Sequence, residues 1–200
     1  LSIFFCRLMH AAPRIYDKFL PNHLVRAAVG GALVIALTYV IWIWDPGTYD
    51  YNGAGEAIIH AAVGGNARPE AFFFKMLFTT ITLGAGFKGG EIVPVFFTGA
   101  TFGCTVAPFL GLHPSFGAGL GMVCVFCGVT NCPITSLLLS LELFAGDSLG
   151  MFTGQSLCLF AVCLAVSYML SGYYGLYSEQ KIVYSKLRPE FIDKKANQDH

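Results

Sequence analysis

The sequence predicts an all-α membrane protein, a bundle of tilted and broken helices, and three observations carry that prediction. Charge is scarce: Asp, Glu, Lys and Arg make up 12 % of the 200 residues, about half the quarter found in an ordinary soluble domain. The scarcity is also localised. Ile92 to Leu141 is one uncharged stretch of fifty residues, and positions 92 to 178 hold only Glu142 and Asp147, where a soluble surface of that length would carry roughly twenty charges. Within this apolar zone, Gly99, Gly103, Pro108, Gly111, Pro114, Gly117, Gly119, Gly121, Gly128 and Pro133 recur. An interior Pro costs about 3 kcal/mol and a Gly about 1, so the run reads as several short helices rather than long continuous ones.

The elements follow in order. Residues 1 to 26 hold Arg7, Arg14, Lys18 and Arg26 against Asp17, with Pro13 and Pro21 interrupting the apolar runs, and read as a membrane-edge connection. Ala27 to Trp44 is an 18-residue uncharged run closed by Trp42 and Trp44, long enough to span and ending on interfacial aromatics. Asp45 to Arg68 reads as a polar loop flanking an apolar patch at Ile58 to Val63. Ala71 to Leu83 is a second apolar helix, with Lys75 expected to snorkel from one end. The tail from Glu179 carries five basic and four acidic residues and reads as soluble. Basic residues gather at the two ends while Asp45 to Glu70 holds four acids and one Arg, which places both ends in the cytoplasm.

Several classes drop out. A net charge of zero argues against a nucleic-acid binder. Of the seven Cys, Cys104, Cys124, Cys127, Cys132, Cys158 and Cys163 lie in the apolar zone and read as small buried hydrophobes. The CxxC of Cys124 and Cys127 has no His or carboxylate nearby to complete a zinc site, so no metal, no cofactor and no enzymatic activity are expected. There is no repeat of 20 to 50 residues. The chain opens on Leu1 with no cleavable signal, and is expected to be a fragment or a trimmed form.

Non-helical backbone at membrane depth is tolerated only where it is buried or lines a watery cavity, and broken helices near the midplane build ion sites. The segment from Gly84 to Pro94, GAGFKGGEIVP, is the clearest such break. Pro94 suits the first turn of a helix, and Gly89 and Gly90 permit close backbone approach. The N–H groups of Glu91, Ile92 and Val93 then point out of a helix start, at the positive end of its macrodipole, an anion-binding arrangement. Gly84, Gly86 and Gly89 also match GxGxxG. That fingerprint needs an acid about 20 residues onward, and Ile92 to Leu141 supplies none. Lys88 precedes the last glycines, so the segment is not a Walker A loop either.

These residues resemble the CLC chloride channel and transporter family. GGEIVPVFFTGATFG resembles the family's GxFxP segment, with Gly90, Ile92 and Pro94 at the Gly, Phe and Pro positions. TNCPITSLLLSLELF, from Thr130 to Phe144, resembles its TNxPxTxxxLxxEL segment. KMLFTTITLGAG resembles the helix leading into the filter, and GLYSEQK, from Gly175 to Lys181, the start of the last helix. The resemblance covers Arg26 to Arg188. It implies membrane anion transport by a homodimer with one pore per subunit. Carried over, the site comprises Gly90, the backbone amides of Glu91, Ile92 and Val93, and the phenolic O–H of Tyr177, a neutral donor that holds an anion without trapping it. Tyr173 and Tyr174 stay in an interfacial belt.

Two departures stand out. Ile92 replaces the family's Phe, which leaves a backbone contact intact. Glu91 gives the GGE-x-x-P form that is similar to the fluoride-transporting branch; its carboxylate suits a helix N-terminus, with proton handling as the alternative. Glu142 reads as a paired structural carboxylate at a helix end. No GxEGP glutamate, the family's gate, occurs in the chain, so it resembles the second of two inverted repeats plus the final helix. Residues 1-178 are expected to form the transmembrane region and 179-200 the last-helix continuation and cytoplasmic tail. The expected ligand is chloride or fluoride, in a multi-pass protein of a lipid bilayer; the short tail favours a bacterial plasma membrane. The alternatives are a fluoride/proton antiporter of the same family and, in another class, a nonconducting interaction or cofactor-binding subunit.

Overall fold

The structure, a computed structural model, describes residues 1–46, 49–144, 154–177, 179–186 and 190–196. Asp147, Ser178 and the end of the tail lie outside the described residues. Eight α-helices follow one another: α1 (Ser2–Phe19), α2 (His23–Trp44), α3 (Glu56–Val63), α4 (Ala71–Gly84), α5 (Ile92–Val106), α6 (Pro114–Thr130), α7 (Pro133–Phe144) and α8 (Gly154–Leu170). A 3₁₀ turn, Ala107–Leu110, links α5 to α6. Strands β1 (Lys181–Tyr184) and β2 (Phe191–Lys195) close the described chain.

The centre of the bundle is the antiparallel pair α5 and α6, and glycine explains it. Gly99 and Gly103 on α5 face Gly121 and Gly117 on α6, each pair four residues apart. A Cβ on Gly99 would come within 2.6 Å of the Gly121 carbonyl oxygen and 2.7 Å of the Met122 Cα, and one on Gly103 would fall on the Gly117 carbonyl. Small residues at this spacing let membrane helices approach backbone to backbone. These glycines therefore do not break the helices, as their propensity alone suggests; close packing offsets their cost. The breaks fall where proline and positive φ coincide. Gly111 adopts φ +70° before Pro114, and Asn131 adopts φ 58° before Pro133.

Three apolar clusters surround the pair. Ala100, Cys104, Ala118, Met122 and Cys127 pack on Ala62 of α3, Phe144 of α7 and Phe160 and Leu164 of α8. Phe5, Cys6 and Met9 of α1 pack on Met76, Val95, Phe126 and Leu176. Ile41, Tyr51, Phe78 and Phe97 form the third. In contrast, Ile35, Val40, Ile43 and Trp44 of α2 are exposed, as a face turned to lipid requires.

Four expectations are corrected. Residues 2–19 form a helix through Pro13 rather than an edge connection, because Phe5, Cys6, Met9 and Ala12 share one buried face at helical spacing. The apolar patch after Asp45 is also helical, α3, entered through Gly55 at φ +76°. Arg26 is no interfacial cation. It is 8 % exposed, pairs with Asp17, donates to the Gly84 carbonyl through Nε at 3.0 Å and through Nη2, and lies over the Tyr16 ring, so it ties α1, α2 and α4 together. Finally, the tail does not continue as a helix: Lys181 pairs with Lys195 and Tyr184 with Phe191 in an antiparallel ribbon, and the β-branched and aromatic residues of KIVY and FIDKK suit a pleated strand.

Candidate functional site

Helix α5 begins at Ile92 with Glu91 as its N-cap, and Glu91 makes no side-chain cap bond. The first bond of the turn runs from Val95 N to Glu91 O at 3.3 Å. The N–H groups of Glu91, Ile92 and Val93 have no acceptor among the described residues, and Pro94 has no N–H to satisfy. The start of α5 therefore presents three donors and the positive end of a 15-residue helix. Gly90 has open space around its Cα, with nothing within 4 Å of a Cβ built there. Ile92 is 40 % exposed, so its side chain stands clear while its amide stays at the helix tip.

Gly89, Gly90, Val93 and Pro94 form one wall of a cavity of about 440 Å³. Thr79, Thr82 and Lys75 of α4 and the turn at Tyr51 to Ala54 form the others. Lys75 was expected to snorkel. It is instead 1 % exposed and donates to the carbonyls of Tyr51 at 3.3 Å and Gly53 at 2.6 Å, with its ammonium 4.9 Å from the centre of the Phe97 ring. Among the described residues no carboxylate pairs with it, so the cavity carries a buried positive charge. Its sequence signal was weak: a single Lys in an apolar helix looks the same whether it turns out or in.

Tyr177 lies on the turn after α8 and is 46 % exposed. Two sets of bonds fix this turn. On one side, Asn131 caps α6 in the left-handed region and donates from Nδ2 to the Tyr174 carbonyl at 3.0 Å, while Leu176 N donates to Val129 O at 2.7 Å and Gln180 Nε2 to Thr130 O at 2.8 Å. The TNCP motif thus does two things, ending α6 and holding the tyrosine turn. Lys186 bonds Asn131 Oδ1, the Tyr168 carbonyl at 3.0 Å and Ser171 Oγ at 2.9 Å, a cation at the carbonyl ends of α6 and α8. Burial pushes its ammonium down to about 8, since desolvation disfavours the charged form. On the other side stands α1. Arg7 donates to the Tyr174 hydroxyl at 2.7 Å, and His10 Nε2 is 2.9 Å from the Gly175 carbonyl.

The structure therefore gathers Gly90, Glu91, Ile92 and Val93 at one helix tip, and sets Tyr177 on a separate turn with no direct contact to that tip among the described residues. Tyr173 bonds Ser185 at 3.0 Å and Tyr174 bonds Arg7, so neither is a plain belt residue. Glu142 is exposed in the last turn of α7, the helix end expected of it, and no described residue pairs with it. Cys104 and Cys127 lie in the core.

A family model described as voltage gated chloride channel matches residues 1–172. A curated protein of Pseudomonas syringae pv. tomato (strain ATCC BAA-871 / DC3000), named chloride/fluoride channel protein, is 31% identical over 189 residues, covering 92% of this chain and 39% of the relative. A crystal structure titled as a CLC-type fluoride/proton antiporter superposes with a TM-score of 0.78 at 26% identity, covering 88% of this chain and 42% of that one. The chain thus spans about two fifths of the length of these relatives.

Proposed function

The chain belongs to the voltage-gated chloride channel family, and from that premise we propose that it supplies one half of a transmembrane halide pathway. The carrying observation is the start of α5, with three N–H groups unused by the described residues, opening on a cavity that also holds the buried Lys75 ammonium. In this mechanism the amides of Glu91, Ile92 and Val93 and the Tyr177 hydroxyl replace water around a dehydrated anion.

Magnitudes show why half is the right word. Moving a bare anion into an apolar medium costs of order 20 kcal/mol, whereas hydrogen bonds to a charged group return about 1.5 to 3 kcal/mol each. Three amides and one hydroxyl return roughly 6 to 12 kcal/mol. The remainder must come from the Lys75 field and from a complementary set of donors on the rest of the pathway.

Fluoride is the favoured ion. Glu91 in GGEIVP and the names of both relatives support it, with chloride the second reading. The proposed setting is a bacterial plasma membrane, with both chain ends cytoplasmic and a second copy of the full-length protein as partner, as the family resemblance implies. Full-length protein in proteoliposomes loaded in turn with fluoride and chloride is expected to release halide, fluoride faster, as read by ion-selective electrodes. Efflux of neither halide above that of protein-free liposomes would overturn the reading.

A further inference from the structure

Helix α1, which sequence reasoning left outside the site, reaches both of its halves. Arg7 and His10 are three residues apart and share a face, and they take hold of successive residues, Tyr174 and Gly175, three and two positions before Tyr177. Phe5, Cys6 and Met9 of that helix share a buried apolar cluster with Val95, in the first turn of α5. A carbonyl oxygen can only accept, so His10 Nε2 carries the proton in its 2.9 Å bond to Gly175. The turn has little slack, because a Cβ on Gly175 would meet Asn131 Nδ2 at 2.9 Å and Gln180 Oε1 at 3.1 Å.

We propose that His10 is a positioning residue for the anion site: its bond to the Gly175 carbonyl, made from a helix that also packs on Val95 in the first turn of α5, sets where the Tyr177 hydroxyl stands relative to the start of α5. This rests on the reading of Tyr177 as an anion donor. His10 touches no anion itself; it acts through the turn. Arg7 holds the outer edge of the same turn, and its aromatic partner Tyr174 keeps the two contacts in register.

A double-mutant cycle on the full-length protein tests this, reading the half-saturating fluoride concentration of efflux from proteoliposomes. His10→Leu is expected to raise it about three- to tenfold, the effect of one lost hydrogen bond, with the maximal rate much less affected. His10→Gln, whose amide N–H can reach the same carbonyl, is expected to restore most of the loss. In a Tyr177→Phe background His10→Leu is expected to add nothing, since residues acting as a unit are not additive. If His10→Leu does not assemble, His10→Asn, polar but too short to reach Gly175, takes its place in the cycle. Equal effects of the His10 change in both backgrounds, or no effect where Tyr177→Phe weakens fluoride, overturn the assignment of His10 alone. A Tyr177→Phe protein indistinguishable from wild type overturns the underlying site as well.

Discussion

Gly103→Val is expected to destroy the assembled bundle. A branched side chain at position 103 would be driven into the Gly117 carbonyl and the Cα of Gly121, and the obstacle is backbone in the middle of a helix, which cannot turn aside as a side chain can. Overpacking of ordinary cores costs about 1 to 3 kcal/mol, and here the expected cost lies at or above the top of that range. The full-length variant should lose its monodisperse peak in detergent or unfold at a far lower temperature than wild type. Gly31→Ala is the control. Its Cβ would meet only the tip of Phe87 at 3.9 Å, so stability should be unchanged or slightly raised, as for a glycine replaced within a helix. A Gly103→Val protein as stable as Gly31→Ala would show that α5 and α6 do not meet through these glycines.

Arg26→Met is expected to be the next most damaging change. The guanidinium is the only group given to the Gly84 carbonyl among the described residues, and it also satisfies Asp17 and covers Tyr16. Asp17 is largely exposed, so its loss of a partner matters little in water. The buried Gly84 end of α4 is different, because a carbonyl left without a donor costs about 1 to 3 kcal/mol. A destabilisation of about 2 kcal/mol is expected from that group and the lost packing, read as a lowered midpoint of thermal unfolding. Arg26→Lys should recover only part, since an ammonium cannot make the forked contact. The consequence reaches the site. Gly84 is the last residue of α4, and the Gly89–Val93 tip follows it by a short loop.

What was legible in the sequence was what lipid imposes everywhere. The spanning α2, the apolar α4, the breaks at Pro108 to Pro114 and at Asn131 to Pro133, and the helix tip at Glu91 all follow from charge, length and proline chemistry. What was not legible depends on partners. A helix interior glycine reads as a cost until a facing glycine four residues along another helix is known. Arg26 and Lys75 read as interfacial cations because nothing local distinguishes a side chain reaching lipid headgroups from one reaching the Gly84 or Gly53 carbonyl. Helix α1 was hidden by Pro13, which a buried face held by Phe5, Cys6 and Met9 overrides. The ribbon at 181–184 and 191–195 was hidden by the family pattern itself, which led to a helix after Tyr177.

The same distinction applies to the site. The helix start at Glu91, Ile92 and Val93 was legible because the Gly-Gly pair and Pro94 mark it in the sequence. The supports of Tyr177, namely Asn131, Gln180, Lys186, Arg7 and His10, come from four separate parts of the chain, and no spacing joins them. They hold the backbone of the turn that carries Tyr177.

The most direct test of the account is equilibrium fluoride and chloride binding to purified full-length protein, wild type against Tyr177→Phe. The change removes one hydroxyl from a hydrogen bond to an anion, an interaction of about 1.5 to 3 kcal/mol, so saturable binding in the wild type should weaken by roughly 10- to 100-fold in the variant while its unfolding temperature stays the same. Equal affinities of the two proteins for both ions would contradict the claim that Tyr177 and the tip of α5 hold the anion together.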